Sequence, residues 1–74
     1  MEFTEWLISE KNFSARSAKD VRSRTKRASK ILGIEIDNVT IDELEKNEEF
    51  KNLTKTVKSQ IRRSINLYNE YNLF

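Results

Sequence analysis

The chain has 74 residues, fourteen Lys and Arg against twelve Asp and Glu, a net charge of +2, and neither cysteine nor histidine. That length allows one domain whose folding hides only about 60% of the unfolded surface, with no disulfide or thiolate metal site to staple it. Without histidine the usual general base near neutral pH and the commonest metal ligand are both missing, so a Ser-His relay is excluded.

One glycine, no proline and apolar residues at three- and four-residue spacing predict helices throughout. The first spans roughly Phe3 to Lys11, with Phe3 and Leu7 on one face and Trp6 beside them. Asn12-Phe13 is a short link. Ser14 is a natural N-cap for a second helix running to about Leu32, and Gly33 suits the left-handed position that ends it. Ile34-Glu35-Ile36-Asp37-Asn38-Val39 alternates apolar and polar residues as a strand does, but no partner strand is evident, so an extended connector is expected.

Thr40-Ile41-Asp42-Glu43 is a capping box that opens a short helix, and the acids in its first turn suit the helix dipole. Asn47-Glu48-Glu49-Phe50 predicts another short turn, and Thr54 caps a last long helix from Lys55 to about Tyr71. The expected fold is therefore all-α: a compact four- to five-helix bundle, one domain over residues 1–74, with two long helices joined by short acidic ones.

Three Asn-x-Ser/Thr triplets begin at Asn12, Asn38 and Asn52, but each hydroxyl stands where a helix should start, so capping explains them better than glycosylation. No apolar run approaches the roughly 18 residues of a membrane span, and Met1-Glu2-Phe3-Thr4-Glu5 lacks the basic start of a signal peptide. A cytoplasmic protein with no membrane partner is expected.

Charge is distributed in blocks. Arg16 to Lys30 holds seven basic residues and one acid, Asp20; Glu35 to Glu49 holds seven acids and one base, Lys46; Lys51 to Arg63 holds five bases and no acid. At 100° per residue, the second helix gathers Ala18, Val21, Thr25, Ala28 and Leu32 into one stripe, with Ile31 at its edge. Arg16, Lys19, Lys26, Arg27 and Lys30 fall opposite, while Arg22 and Arg24 flank the stripe. In the last helix Val57, Ile61, Ile65, Tyr68 and Tyr71 face inward, and Lys55, Lys58 and Arg62 gather opposite, with Ser59, Asn66 and Asn69 nearby.

Charged outer faces are ordinary for soluble helices, but those faces usually mix signs. One-sign faces on both long helices bring self-repulsion with no structural return, which points to phosphates as the partner. Double-stranded DNA is the expected ligand, and Arg16, Lys19, Lys26, Arg27, Lys30, Lys55, Lys58 and Arg62 are the expected contacts. The alternative is a protein-interaction or self-association module, with a basic face set against the acidic 35–49 segment.

An enzyme is not expected, because no candidate nucleophile has a base beside it; nor is a cofactor, a metal or a small-molecule substrate. The acidic block lacks the spacing of a calcium loop. Ser14 and Ser17 sit where a phosphate can be held, but capping is the simpler role. Trp6, Phe13, Tyr68 and Tyr71 have faces on which bases can stack, yet each lies on or beside an apolar stripe and is expected in the core.

Three segments resemble the N-terminal core-binding, SAM-like helical domain of phage integrases and other tyrosine recombinases. They are the opening Phe3-Thr4-Glu5-Trp6-Leu7; Ser14-Ala15-Arg16-Ser17 leading to Ile31-Leu32-Gly33; and the closing Val57-Lys58-Ser59-Gln60-Ile61-Arg62-Arg63-Ser64-Ile65-Asn66-Leu67-Tyr68. Val21 stands where members often carry an aromatic. The resemblance implies a compact unit laid against duplex DNA, with the second and last helices facing it. It implies too that strand transfer belongs to a separate, larger domain, so Tyr68 and Tyr71 are not nucleophiles.

Overall fold

Helices cover most of the computed structural model, which describes residues 1–73 and has no strand among them. In chain order they are α1 (Phe3–Lys11), α2 (Ala15–Leu32), a 3₁₀ turn (Ile36–Asn38), α3 (Ile41–Lys46), α4 (Glu48–Lys51) and α5 (Lys55–Leu73). The radius of gyration, 12.0 Å, lies close to the roughly 11 Å expected of a globular chain this long.

The starts of α2, α3, α4 and α5 are set by side chains. Ser14 accepts from the Ser17 amide at 3.1 Å, Thr40 from Glu43 at 3.2 Å, Asn47 from Phe50 at 3.0 Å and Thr54 from Val57 at 3.3 Å. Each satisfies a backbone donor that the helix itself leaves unpaired. The hydroxyls of all three Asn-x-Ser/Thr triplets are thus N-caps.

The ends of α1 and α2 are set by left-handed residues. Gly33, at φ 67°, lets the Ile34 amide close on the Ser29 carbonyl at 3.2 Å while its own amide reaches the Ser29 and Lys30 carbonyls. At the end of α1 the same conformation falls to Asn12, φ 59°, an amino acid that tolerates it better than most.

Two departures from the sequence expectation concern backbone. The segment before α3 is not extended throughout: Ile36–Asn38 is a 3₁₀ turn, closed by the Asn38 amide on Glu35 and the Val39 amide on Ile36. Ile36 and Val39 therefore reach the core together, whereas strict alternation would have paired Ile34 with Ile36; Ile34 is 38% exposed. The last helix also runs two residues past Tyr71, to Leu73.

The core has two clusters. One joins Ala28 of α2 to Val39, Leu44, Phe50 and the α5 residues Ile61 and Ile65. The other joins Phe3, Trp6 and Leu7 of α1 to Ala18 and Val21 of α2, with Leu67, Tyr68 and Tyr71 of α5 packed against it. The late part of α2 thus meets the early part of α5 and the reverse, so the two long helices run antiparallel. The residues of α2 buried along this contact are small or β-branched: Ala18, Val21, Thr25 and Ala28. Ser64 of α5 and Thr25 are buried polar residues, and each turns its hydroxyl back on its own helix, to Gln60 at 2.9 Å and Arg22 at 2.7 Å.

All four aromatics expected inside lie in the second cluster or against it, Trp6 buried and Phe13, Tyr68 and Tyr71 half-buried. The Phe3 ring meets Tyr68 edge-on at 5.2 Å and Tyr71 at 5.3 Å, tying α1 to the end of α5.

Tyr68 makes one further tie, donating to the Asp37 carboxylate at 2.6 Å. That hydrogen bond, then burial and the carboxylate's charge, push the phenol up to about 12. The folded state consequently holds a proton that the unfolded chain releases near pH 10. This contribution is complete below about pH 10 and is lost as pH rises through 12. A tyrosine absorbance titration should find one group ionising near 12, and Asp37→Asn should bring it down towards 10. Ionisation of Tyr68 near 10 in the unmodified chain would contradict the geometry.

Candidate nucleic-acid interface

The outer face of α2 is built as its sequence period requires. Burying Ala18, Val21, Thr25 and Ala28 turns Arg16, Lys19, Lys26, Arg27 and Lys30 outward, and all five are exposed. No acid stands in the first turn of α2, where Arg16 sits against the positive end of the helix dipole. The first turn of α5 has no acid either and carries Lys55, also exposed. The short helices differ: α3 opens on Asp42 and Glu43, α4 on Glu48 and Glu49.

Among the described residues the ion pairs are Lys11 with Glu70, Lys51 with Glu48, and Arg62 with Glu45. No basic residue of α2 takes part. Asp20, its one acid, lies four residues from both Arg16 and Arg24 and approaches neither within ion-pair distance.

The basic residues of α5 divide between two sides. The Arg62 guanidinium donates to both Glu45 oxygens, at 2.5 and 3.4 Å, and stands 5.6 Å over the Phe50 ring. This hydrogen bond holds the Glu45 carboxyl below its usual range and raises Arg62 above its own; Lys58 lowers Glu45 further through its charge. Lys58 and Arg62 are half-buried and belong to the α3 side. Of the two, Arg62 is already partnered and is not a free cation for phosphate.

Arg63 points elsewhere. With Gln60 it lines a groove of about 670 Å³ whose other wall is α2, through Ser17, Asp20 and Arg24. Its guanidinium carbon stands 5.8 Å over Phe13, which holds the long side chain in place. At 100° per residue Arg27 and Arg16 lie about 60° and 80° around α2 from Arg24, on the same side. The groove therefore borders the basic face, and a band of positive charge runs from the groove over Arg27 and Arg16 to Lys30, Lys19 and Lys26.

Arg24 and Arg63 are absent from the contacts expected from sequence. Their signal was faint: Arg24 flanks the apolar stripe of α2, Arg63 stands about 100° around α5 from Arg62 and apart from the other bases, and no single-helix projection reveals which side meets which neighbour.

Among the described residues no three Asp or Glu side chains cluster closely enough to hold a metal ion, and no helix is long and apolar enough to cross a membrane. No family model, no curated protein and no solved structure matches the chain.

Proposed function

We propose that this chain is a non-catalytic, cytoplasmic DNA-binding domain that lies on duplex DNA through the outer face of α2, the role implied by its resemblance to integrase core-binding domains. One observation carries the reading: α2 holds seven cations and one carboxylate, and none of the seven enters an ion pair among the described residues. Arg16 with Lys19, Lys19 with Arg22, Arg22 with Lys26 and Lys26 with Lys30 are like-charge neighbours at three- or four-residue spacing, an arrangement that weakens a helix. Phosphates placed along that face turn the repulsion into attraction and release their counterions.

The salt dependence of duplex binding tests this. Five phosphates under Arg16, Lys19, Lys26, Arg27 and Lys30 give a log–log slope of about −4.5, read by fluorescence anisotropy of a labelled duplex. A slope near zero contradicts the reading.

The acidic run favours a second reading. Glu35, Asp42, Glu43 and Glu49 engage no cation among the described residues, so they are available to the basic face of another copy. Sedimentation separates the two. A monomer that changes mass only with DNA supports the first reading; salt-sensitive association without DNA supports the second.

A further inference from the structure

We propose that the groove between α2 and α5 is a phosphate clamp, in which Arg24 and Arg63 close from opposite walls on one phosphodiester of a nucleic-acid strand. The proposal rests on the DNA-binding reading and deepens it, because it assigns α5 a contact other than Lys55, Lys58 and Arg62.

Two guanidinium groups line one groove, and neither has an ion-pair partner among the described residues. Packed helices lie about 8–10 Å apart, a gap that two arginine side chains easily reach across. The two guanidinium groups repel each other across the groove, and the single Asp20 carboxylate, ion-paired with neither, offsets only part of that repulsion. A phosphodiester between them replaces one repulsion with two attractions, and arginine's planar fork of donors matches its oxygens. Arg63 is held over Phe13 at 5.8 Å, so less side-chain freedom is lost when it binds.

The Gln60 amide and the Ser17 hydroxyl line the same groove and offer uncharged donors. Ser64 also lines it, but its hydroxyl is spent on the Gln60 carbonyl. Lys11 lines it too and is held by Glu70. At the N-terminus of α2 the Ser17 amide is already taken by the Ser14 hydroxyl.

Asp20 is the one carboxylate in the groove, and it opposes a phosphate there. Removing it should strengthen binding, as removing an acid anywhere along the basic band of α2 would.

The test is a cycle of Arg24→Gln, Arg63→Gln and the double variant, with duplex affinity measured across salt concentrations and folding checked by circular dichroism. If both arginines hold one phosphate, each single change weakens binding about three- to tenfold. The double variant then loses less than the product of the two, and its salt slope is shallower than that of the unmodified chain by about 0.9. Asp20→Asn should tighten binding about two- to fivefold.

Losses that multiply, with a slope shallower by about 1.8, mean two separate phosphates and overturn the clamp. Unchanged affinity in both single variants, while substitutions on the outer face of α2 weaken binding, overturns the clamp and leaves the DNA-binding reading standing. An unmodified chain that does not bind duplex at all overturns both.

Discussion

Replacing Lys19, Lys26 and Arg27 together by glutamine is expected to weaken duplex binding on the order of 10²–10³-fold at 0.1 M salt, because each phosphate contact carries about 0.9 of a log unit per tenfold in salt. The same variant is expected to melt higher than the parent. Its three substitutions remove six like-charge neighbours at three- or four-residue spacing: Arg16–Lys19, Lys19–Arg22, Arg22–Lys26, Lys26–Lys30, Arg24–Arg27 and Arg27–Lys30. Each is worth a few tenths of a kcal/mol at low salt, and glutamine is nearly as good a helix former as lysine or arginine. Lys30, the basic residue in the last turn of α2, suits the helix dipole and is left in place.

In a domain this small a gain of 1 kcal/mol raises the melting temperature by about 4–8 °C, so the shift is measurable by thermal circular dichroism at low ionic strength. Opposite signs for binding and stability are the mark of a surface kept for a ligand. A variant that keeps its affinity, or that melts lower, contradicts the assignment of the α2 face.

The largest effect on stability is expected at Phe50. This residue belongs to a four-residue helix, yet its side chain is fully buried among Leu44, Ile61 and Ile65. Truncating such a phenyl ring leaves a cavity and costs about 3–5 kcal/mol. A chain of this length has a total stability of roughly 4–11 kcal/mol. Phe50→Ala should therefore leave the protein marginally folded or unfolded at 37 °C, as read by urea denaturation. Arg62 stands 5.6 Å over the same ring and would lose its stacking partner, while Asn47 would keep its cap on the amide of residue 50. A loss under about 1 kcal/mol would mean that α4 is dispensable to the core.

Much of this architecture is legible in the sequence, for local reasons. Ser14, Thr40 and Thr54 mark helix starts because a short hydroxyl reaches a free amide three residues on, and Gly33 marks an end because it adopts positive φ without strain. The stripe Ala18, Val21, Thr25 and Ala28 follows from the helical period alone.

What escapes a sequence reading is relational. Alternation at Ile34 to Val39 resembles a strand, but with no neighbour to complete a ladder the backbone satisfies itself in a 3₁₀ turn. Arg62 sits on a basic face in projection, while its partner Glu45 lies seventeen residues away on another helix. Arg24 and Arg63 become a pair only when α2 and α5 pack antiparallel, which sets the groove flanks of both helices side by side.

Whether the α2 face and its bordering groove meet nucleic acid is decided by an NMR titration of isotope-labelled protein with a short duplex of random sequence, at low and then at higher salt. Salt-sensitive shifts are expected in the amides of Arg16 to Lys30 and around Gln60 to Arg63, with little change in α3 and α4. No shifts at millimolar duplex, or shifts centred on the acidic 35–49 segment, would contradict that contact.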